Sequence, residues 1–219
     1  LDLGGNNDIV AREFALDEEA RAAGVAIVPD CGLAPGLAGI LGYWLADGLD
    51  ACASLRLRVG GLPLVPQPPM NYKIVFAVEG LINEYVEPAV VIRQGRLQTV
   101  PSLSELEPIT FPEPFGELEA FQTSGGTSTL PQTLLGRVPD LDYQTIRYRG
   151  HCAQMRLLHE LGLTDPRPVR IGDVSVAPRK VLAHVMQRSL DLPGEDVVLV
   201  LCTAEGEQGV EIGRASWRE

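Results

Sequence analysis

Two short stretches of the chain concentrate the side chains able to do chemistry. Residues 116–131, GELEAFQTSGGTSTLP, carry Glu117, Glu119, the hydroxyls of Thr123, Ser124, Thr127 and Ser128 and, between them, the pair Gly125-Gly126. Soon after, residues 143–151, YQTIRYRGH, add Arg147, Arg149 and His151. Cations for a carboxylate, anions for an amine and hydroxyls for orientation are what a pocket for a small zwitterion requires. Arg147 offers a planar fork that matches a carboxylate bidentately, which suits an α-carboxylate anchor. His151 is of a residue type that titrates near neutral pH, and it is the best general-base candidate. On a strand Glu117 and Glu119 share one face, so Glu119 becomes a candidate for binding an amine or taking its proton. Gly125-Gly126 would let backbone N–H groups approach a ligand closely. Thr127 or Ser128 could instead cap a helix near Leu130-Pro131, and both roles are compatible.

Three further groups join them. Glu79 and Asn83 are four residues apart and fall together on one turn of a helix, where Glu79 is either an amine-binding carboxylate or an acid at a helix N-terminus. Thr123, Ser124, Asn83 and Tyr72 complete the substrate-binding set around Arg147. Gly4, Gly5 and Asn6 in one turn, with Asp30, Cys31 and Gly32 in another, could lie against a nicotinamide ring. The plainer reading is that these glycines only make tight turns. No glycine-rich phosphate loop occurs, so a pyrophosphate site would lie outside these residues. The dispersed histidines and cysteines have no metal-ligand spacing, and no metal is expected.

These residues need elements to hold them. Helix formers at 14–23, with Asp17, Glu18 and Glu19 early and Gly24 as a stop, precede the apolar run 25–28, expected as a buried parallel strand. Pro35-Gly36 opens an apolar helix to about Gly48. From residue 54 the pattern alternates: Leu55, Leu57 and Val59 against Arg56 and Arg58 predict a half-buried strand. A proline-rich crossing at 63–69 leads to a strand expected over 72–78. Gln94-Gly95 predicts a hairpin between 89–93 and 96–100. Strands are expected at 118–122 and 143–148, helices at 151–161 and 178–190, and a last strand at 197–202. The chain thus reads as α/β with α+β: the end of a Rossmann-like domain, residues 1–50, then a substrate and dimerisation domain, 51–210, on a mixed, mostly antiparallel sheet.

Composition narrows the partners. A formal net charge of −11 argues against nucleic acid or an anionic membrane. No apolar run is long enough to span a bilayer. Four scattered cysteines suit reduced thiols in a cytoplasmic setting. The chain opens mid-domain in pattern, and residues 211–219 read as a non-native tail.

The ordered motifs LDLGGN (1–6), VPDCGLAPGL (28–37), VGGLP (59–63), VEGLINEYVEPAVVIRQG (78–95), ITFPEPFGELEAFQTSGGTSTLP (109–131) and YQTIRYRGH (143–151) resemble the saccharopine dehydrogenase family, most closely its lysine 6-dehydrogenase branch. Gln122 stands where an aromatic residue is expected, and Arg149 where a proline is. The resemblance implies an NAD- or NADP-dependent oxidation of the ε-amine of L-lysine to 2-aminoadipate 6-semialdehyde. It also implies a homodimer formed through the second domain, with most of the nucleotide-binding domain missing from this chain. The alternatives are a saccharopine or carboxylated-polyamine dehydrogenase of the same family, or a non-catalytic dimerisation module.

Overall fold

The computed structural model describes residues 1–207 in full and the backbone of 209–218. Its centre is an eight-stranded sheet in the order β10-β9-β1-β6-β2-β3, with β5 also on β6 and β4 outside β5. The strands are β1 (Cys52–Pro63), β2 (Ala89–Arg93), β3 (Arg96–Val100), β4 (Glu107–Phe111), β5 (Gly116–Gln122), β6 (Asp140–Tyr148), β9 (Asp196–Gly206) and β10 (Gly209–Arg218). β1 and β6 run parallel, and the other ladders are antiparallel. A mixed, mostly antiparallel sheet is therefore what forms. A separate two-stranded hairpin, β7 (Val169–Ile171) with β8 (Val174–Val176), occupies the proline-rich stretch before the last helix.

Alternation along the strands creates two unlike faces. Leu55, Leu57 and Val59 of β1, with Leu141 and Tyr143 of β6, pack with α3 (Leu37–Asp47) and α5 (Leu130–Leu134). Farther along the same face, Phe121 of β5 meets α4 (Val78–Val86), α6 (His151–Glu160) and α7 (Pro178–Leu190). The opposite face holds Leu62, Leu118, Ile146 and Leu199, together with a polar cluster around Arg58. Arg58 was expected to point to solvent, yet it is buried, because Asp142 and Glu107 neutralise it.

The caps follow from sequence. The Asn6 side chain accepts from Asp8 and Ile9 N–H to start α1 (Asn7–Ala15), and Gly24, at φ +68°, ends α2 (Asp17–Ala23). Two expected strands do not form. Among the described residues the 25–28 segment joins no ladder: Asp2 N–H donates to the Val28 carbonyl, Val25 N–H donates back to Ala20, and Val25 and Ile27 stay exposed. The 72–78 segment pairs with no strand among the described residues; Ile74 N–H donates to Leu190, and α4 begins at Val78. The helix α3, placed by sequence before a boundary near 48–54, buries its inner side on β1 and β9. The backbone of 209–218 pairs with β9, while the side chains of the expected non-native tail, 211–219, lie outside the described residues. No helix among the described residues is long and apolar enough to cross a membrane.

Candidate functional site

The register of β5 on β6 decides which side chains meet. Glu119 lies opposite Arg147 and Phe121 opposite Thr145, all on the helix-covered face. Arg147 is buried there without a carboxylate in ion-pair contact among the described residues. Its Nε donates to the Tyr85 hydroxyl at 3.0 Å, one Nη donates to the Ile146 carbonyl at 2.9 Å, and its Cζ stands 4.9 Å from the Tyr72 ring centre. The second terminal nitrogen, Nη2, has no hydrogen bond among the described residues. Burial alone would lower the Arg147 pKa, but Tyr85, Tyr72 and Glu84 raise it, so the cation persists.

Two groups around that cation are unusual. The Tyr72 hydroxyl is sealed from solvent and makes no well-formed hydrogen bond among the described residues; burial pushes its pKa up to about 12, against the Arg147 charge and the nearby Val75 N–H. A buried hydroxyl left unpaired costs about 1–3 kcal/mol, so it suits a ligand acceptor. Glu84, half-buried on α4, has its carboxyl pushed up to about 7 by desolvation, although Arg147 pulls the other way. A carboxylate poised there can exchange protons at neutral pH. Beside them Thr123 shares a 2.7 Å hydrogen bond with Thr145. Ser124 N–H donates to the Glu84 carbonyl at 3.0 Å and its hydroxyl to the Asn83 carbonyl at 3.4 Å, tying the loop after β5 to α4.

His151 is in the cluster, but not as a ready base. Its pKa falls to about 3, first through burial and then through the Arg147 charge. Both ring nitrogens are engaged, one 3.0 Å from the Tyr85 hydroxyl and the other 3.3 Å from the Met70 carbonyl. Glu119 is not free either. Its two oxygens accept from Gly150 and Cys152 N–H, at 2.8 and 2.7 Å, and so satisfy the N-terminus of α6. Glu79 and Asn83 share their helical turn as expected, but both face Arg179 of α7, at 2.9 and 2.6 Å. They pin α4 to α7 instead of lining the Arg147 cluster.

The two sequence departures also lie away from Arg147. Gln122 points to the opposite face, where its amide donates to Glu105 at 2.8 Å. Arg149 pairs with Glu117 at the surface. Sequence reasoning missed Glu84 and Tyr85. Their signal was the spacing Leu81, Glu84, Tyr85, which puts both beside the buried stripe of α4.

The two turns at the start of the chain come together. Cys31 N–H donates to Asp2, Gly4 N–H donates to the Asp2 carboxylate, and Gly4 has no room for a side chain between Asp30 and Pro35. A Cβ on Gly32 would lie 2.6 Å from the Leu3 carbonyl. One Asp30 carboxylate oxygen is buried without a partner, while the exposed Cys31 thiol reaches only backbone carbonyls. Asn6 is spent on capping α1. These turns touch the loop after β5, because Gly125, at φ +83°, would place a Cβ only 2.6 Å from the Gly5 carbonyl. A cavity of about 310 Å³ runs along this junction, lined by Asp30, Gly36, Tyr43 and Thr127 among others. Among the described residues no cluster of acidic, histidine or cysteine side chains could hold a metal.

The fold is shared with known proteins. A solved structure of histidine-tagged apo saccharopine dehydrogenase (L-Glu forming) from Saccharomyces cerevisiae superposes with a TM-score of 0.66. The match covers 90% of this chain at 16% identity, so it concerns the fold alone, and this chain spans 60% of that chain's length. The family of the saccharopine dehydrogenase C-terminal domain matches residues 32–211, most of the chain and all of the Arg147 cluster. The chain belongs to that family.

Proposed function

We propose that the parent protein oxidises the ε-amine of L-lysine with NAD or NADP, giving 2-aminoadipate 6-semialdehyde and ammonia. The observation that carries this reading is the buried Arg147 cation, with no carboxylate in ion-pair contact among the described residues, beside the sealed Tyr72 hydroxyl and a Glu84 carboxyl poised near neutral pH. Arg147 Nη2 and the Tyr72 hydroxyl are donors that suit a carboxylate. Glu84 suits an amine, first as a counter-ion and then as the acceptor of its proton, since only a neutral amine can release hydride from its carbon. Bound nicotinamide supplies the hydride acceptor. Water then adds to the substrate imine and ammonia departs. Thr123 and Ser124 shape the wall between these groups and the Gly4-Gly5 turn. Glu84 takes the base role that the sequence suggested for His151, because an imidazole with a pKa near 3 is too weak a base at neutral pH.

The residues present fit one end of a dinucleotide. Asp30 offers an uncommitted acceptor to a carboxamide or ribose donor, and Gly5 leaves open space beside its backbone, whereas Gly4 and Gly32 are closed in by Asp30, Pro35 and Leu3. In this reading residues 1–50 close the nucleotide domain, residues 51–210 bind substrate, and dimerisation in the cytoplasm proceeds through that second region. Larger, more acidic substrates fit less well, because Lys73 and Arg149 are already paired with Asp196 and Glu117.

Steady-state kinetics of the full-length enzyme test the reading. Arg147→Ala should raise KM for lysine with a smaller effect on kcat, with ammonia released in step with NADH. Unchanged kinetics would remove Arg147 from the site. Preferential turnover of saccharopine would replace lysine as the substrate.

A further inference from the structure

We propose that Tyr85 and His151 form a positioning pair that fixes the guanidinium of Arg147, with no part in proton transfer to or from the substrate. The proposal rests on the reading of Arg147 as the carboxylate anchor. The geometry assigns every proton in the chain of hydrogen bonds. Arg147 Nε can only donate, so the Tyr85 oxygen accepts from it at 3.0 Å. The single Tyr85 proton is then left for His151 Nε2, 3.0 Å away, which must accept and therefore carries no hydrogen. The ring's one proton falls on Nδ1, and it is donated to the Met70 carbonyl at 3.3 Å. The imidazole is thus held as one neutral tautomer by a backbone carbonyl at one end and a phenol at the other.

Packing supports the same role. The His151 ring stands 5.1 Å from the Tyr72 ring and 5.7 Å from the Tyr85 ring, and Tyr85 lies 6.0 Å from Phe121. All four rings are sealed from solvent. Charging this imidazole would place a second cation beside Arg147 and break the Tyr85 bond, and burial with the Arg147 charge opposes it. With Nε held by Tyr85 and one Nη by the Ile146 carbonyl, the guanidinium cannot rotate, and Nη2 remains for a ligand. A long, flexible cation is in this way turned into a donor of fixed direction, a preorganisation that lowers the cost of binding.

Two measurements test it. In the ¹⁵N-histidine-labelled chain at about pH 7, His151 should show the neutral form with its proton on Nδ1; an Nε2–H tautomer or an imidazolium would overturn the proposal. In a uniformly ¹⁵N-labelled sample the Arg147 Nε–H should exchange slowly and become fast in Tyr85→Phe, with thermal melting used to confirm that the variant folds. Equal exchange in both folded proteins would also overturn it. Neither result depends on which amine is oxidised. In the full-length enzyme Tyr85→Phe and His151→Leu should raise KM for L-lysine roughly tenfold, about the worth of one hydrogen bond to a charged group. The position of the kcat pH limb should stay fixed. His151→Gln, whose carbonyl can accept from Tyr85, should recover most of the KM loss. A collapse of kcat at unchanged KM, unrescued by Gln, would make the pair catalytic. If lysine is not turned over at all while the two spectroscopic results hold, the substrate assignment fails and the positioning pair stands.

Discussion

Among the described residues the sheet buries two arginines, one on each face, and they live in opposite surroundings. Arg58 is neutralised by Asp142 at 2.6 Å and Glu107 at 2.7 Å, and Asp142 also binds Arg93, which reaches Glu105. Arg147 has a phenol, a carbonyl and an aromatic ring, with no ion pair among the described residues. A buried charge paired on several sides has nothing left to offer a ligand. One held only by neutral dipoles keeps its field for an incoming anion. The difference separates an arginine that holds the fold from one that awaits a substrate.

Four experiments would break or sharpen this contrast, beginning with the largest effect. Glu84→Gln removes the proposed base on the Arg147 side, and kcat should fall by about 10²–10⁴. A smaller loss would leave proton transfer to solvent or another group. Next, Arg58→Ala should cost roughly 3–5 kcal/mol in urea unfolding, because it strips the buried Asp142 carboxylate of the shorter of its two ion pairs. Arg147→Met should cost far less or stabilise, as sites held ready for ligands often relax when emptied of their charge. Equal costs at the two positions would abolish the distinction.

The third is a pH profile. If Glu84 must be ionised, kcat/KM should fall about tenfold per unit below a pH near 7. The same shift has the opposite sign for stability. A carboxyl whose folded pKa lies above its unfolded value favours folding while protonated, so this contribution is lost as pH rises through about 7. Denaturation of Glu84→Gln should lack that decline. The smallest effect is expected at Glu119→Ala, about 1–2 kcal/mol from the unsatisfied start of α6, with KM altered only if the helix end shifts.

Much of this arrangement was legible in the residues. The alternation of Leu55, Leu57 and Val59 fixed the inner face of β1, Gln94-Gly95 marked the β2–β3 hairpin, and Pro178 opened α7. Arg147, Tyr72, Thr123 and His151 were expected in one place, and the structure brings them together. What stayed hidden was the face on which a side chain sits once partners are assigned. Glu79 and Glu84 are both acids on α4, and only packing against α7 shows that Glu79 is taken by Arg179 while Glu84 turns toward Arg147. Glu119 had the right neighbour in Arg147, but the N-terminus of α6 claims it, a tertiary contact that strand spacing does not encode. Gln122 illustrates the period of two: one residue from Thr123, it faces the Arg58 side and cannot touch a ligand bound at Arg147. The failed strands at 25–28 and 72–78 have the apolar content of strands and no ladder to join.

The most direct test of the two-arginine account is to titrate the ¹⁵N-labelled chain with L-lysine and follow both arginine side chains by NMR. The account predicts that Arg147 Nε–H and the backbone amides of Tyr72, Glu84 and Ser124 shift together while Arg58 Nε–H stays still. Shifts confined to Arg58 and Asp142, or none at Arg147 while lysine binds elsewhere, would contradict it.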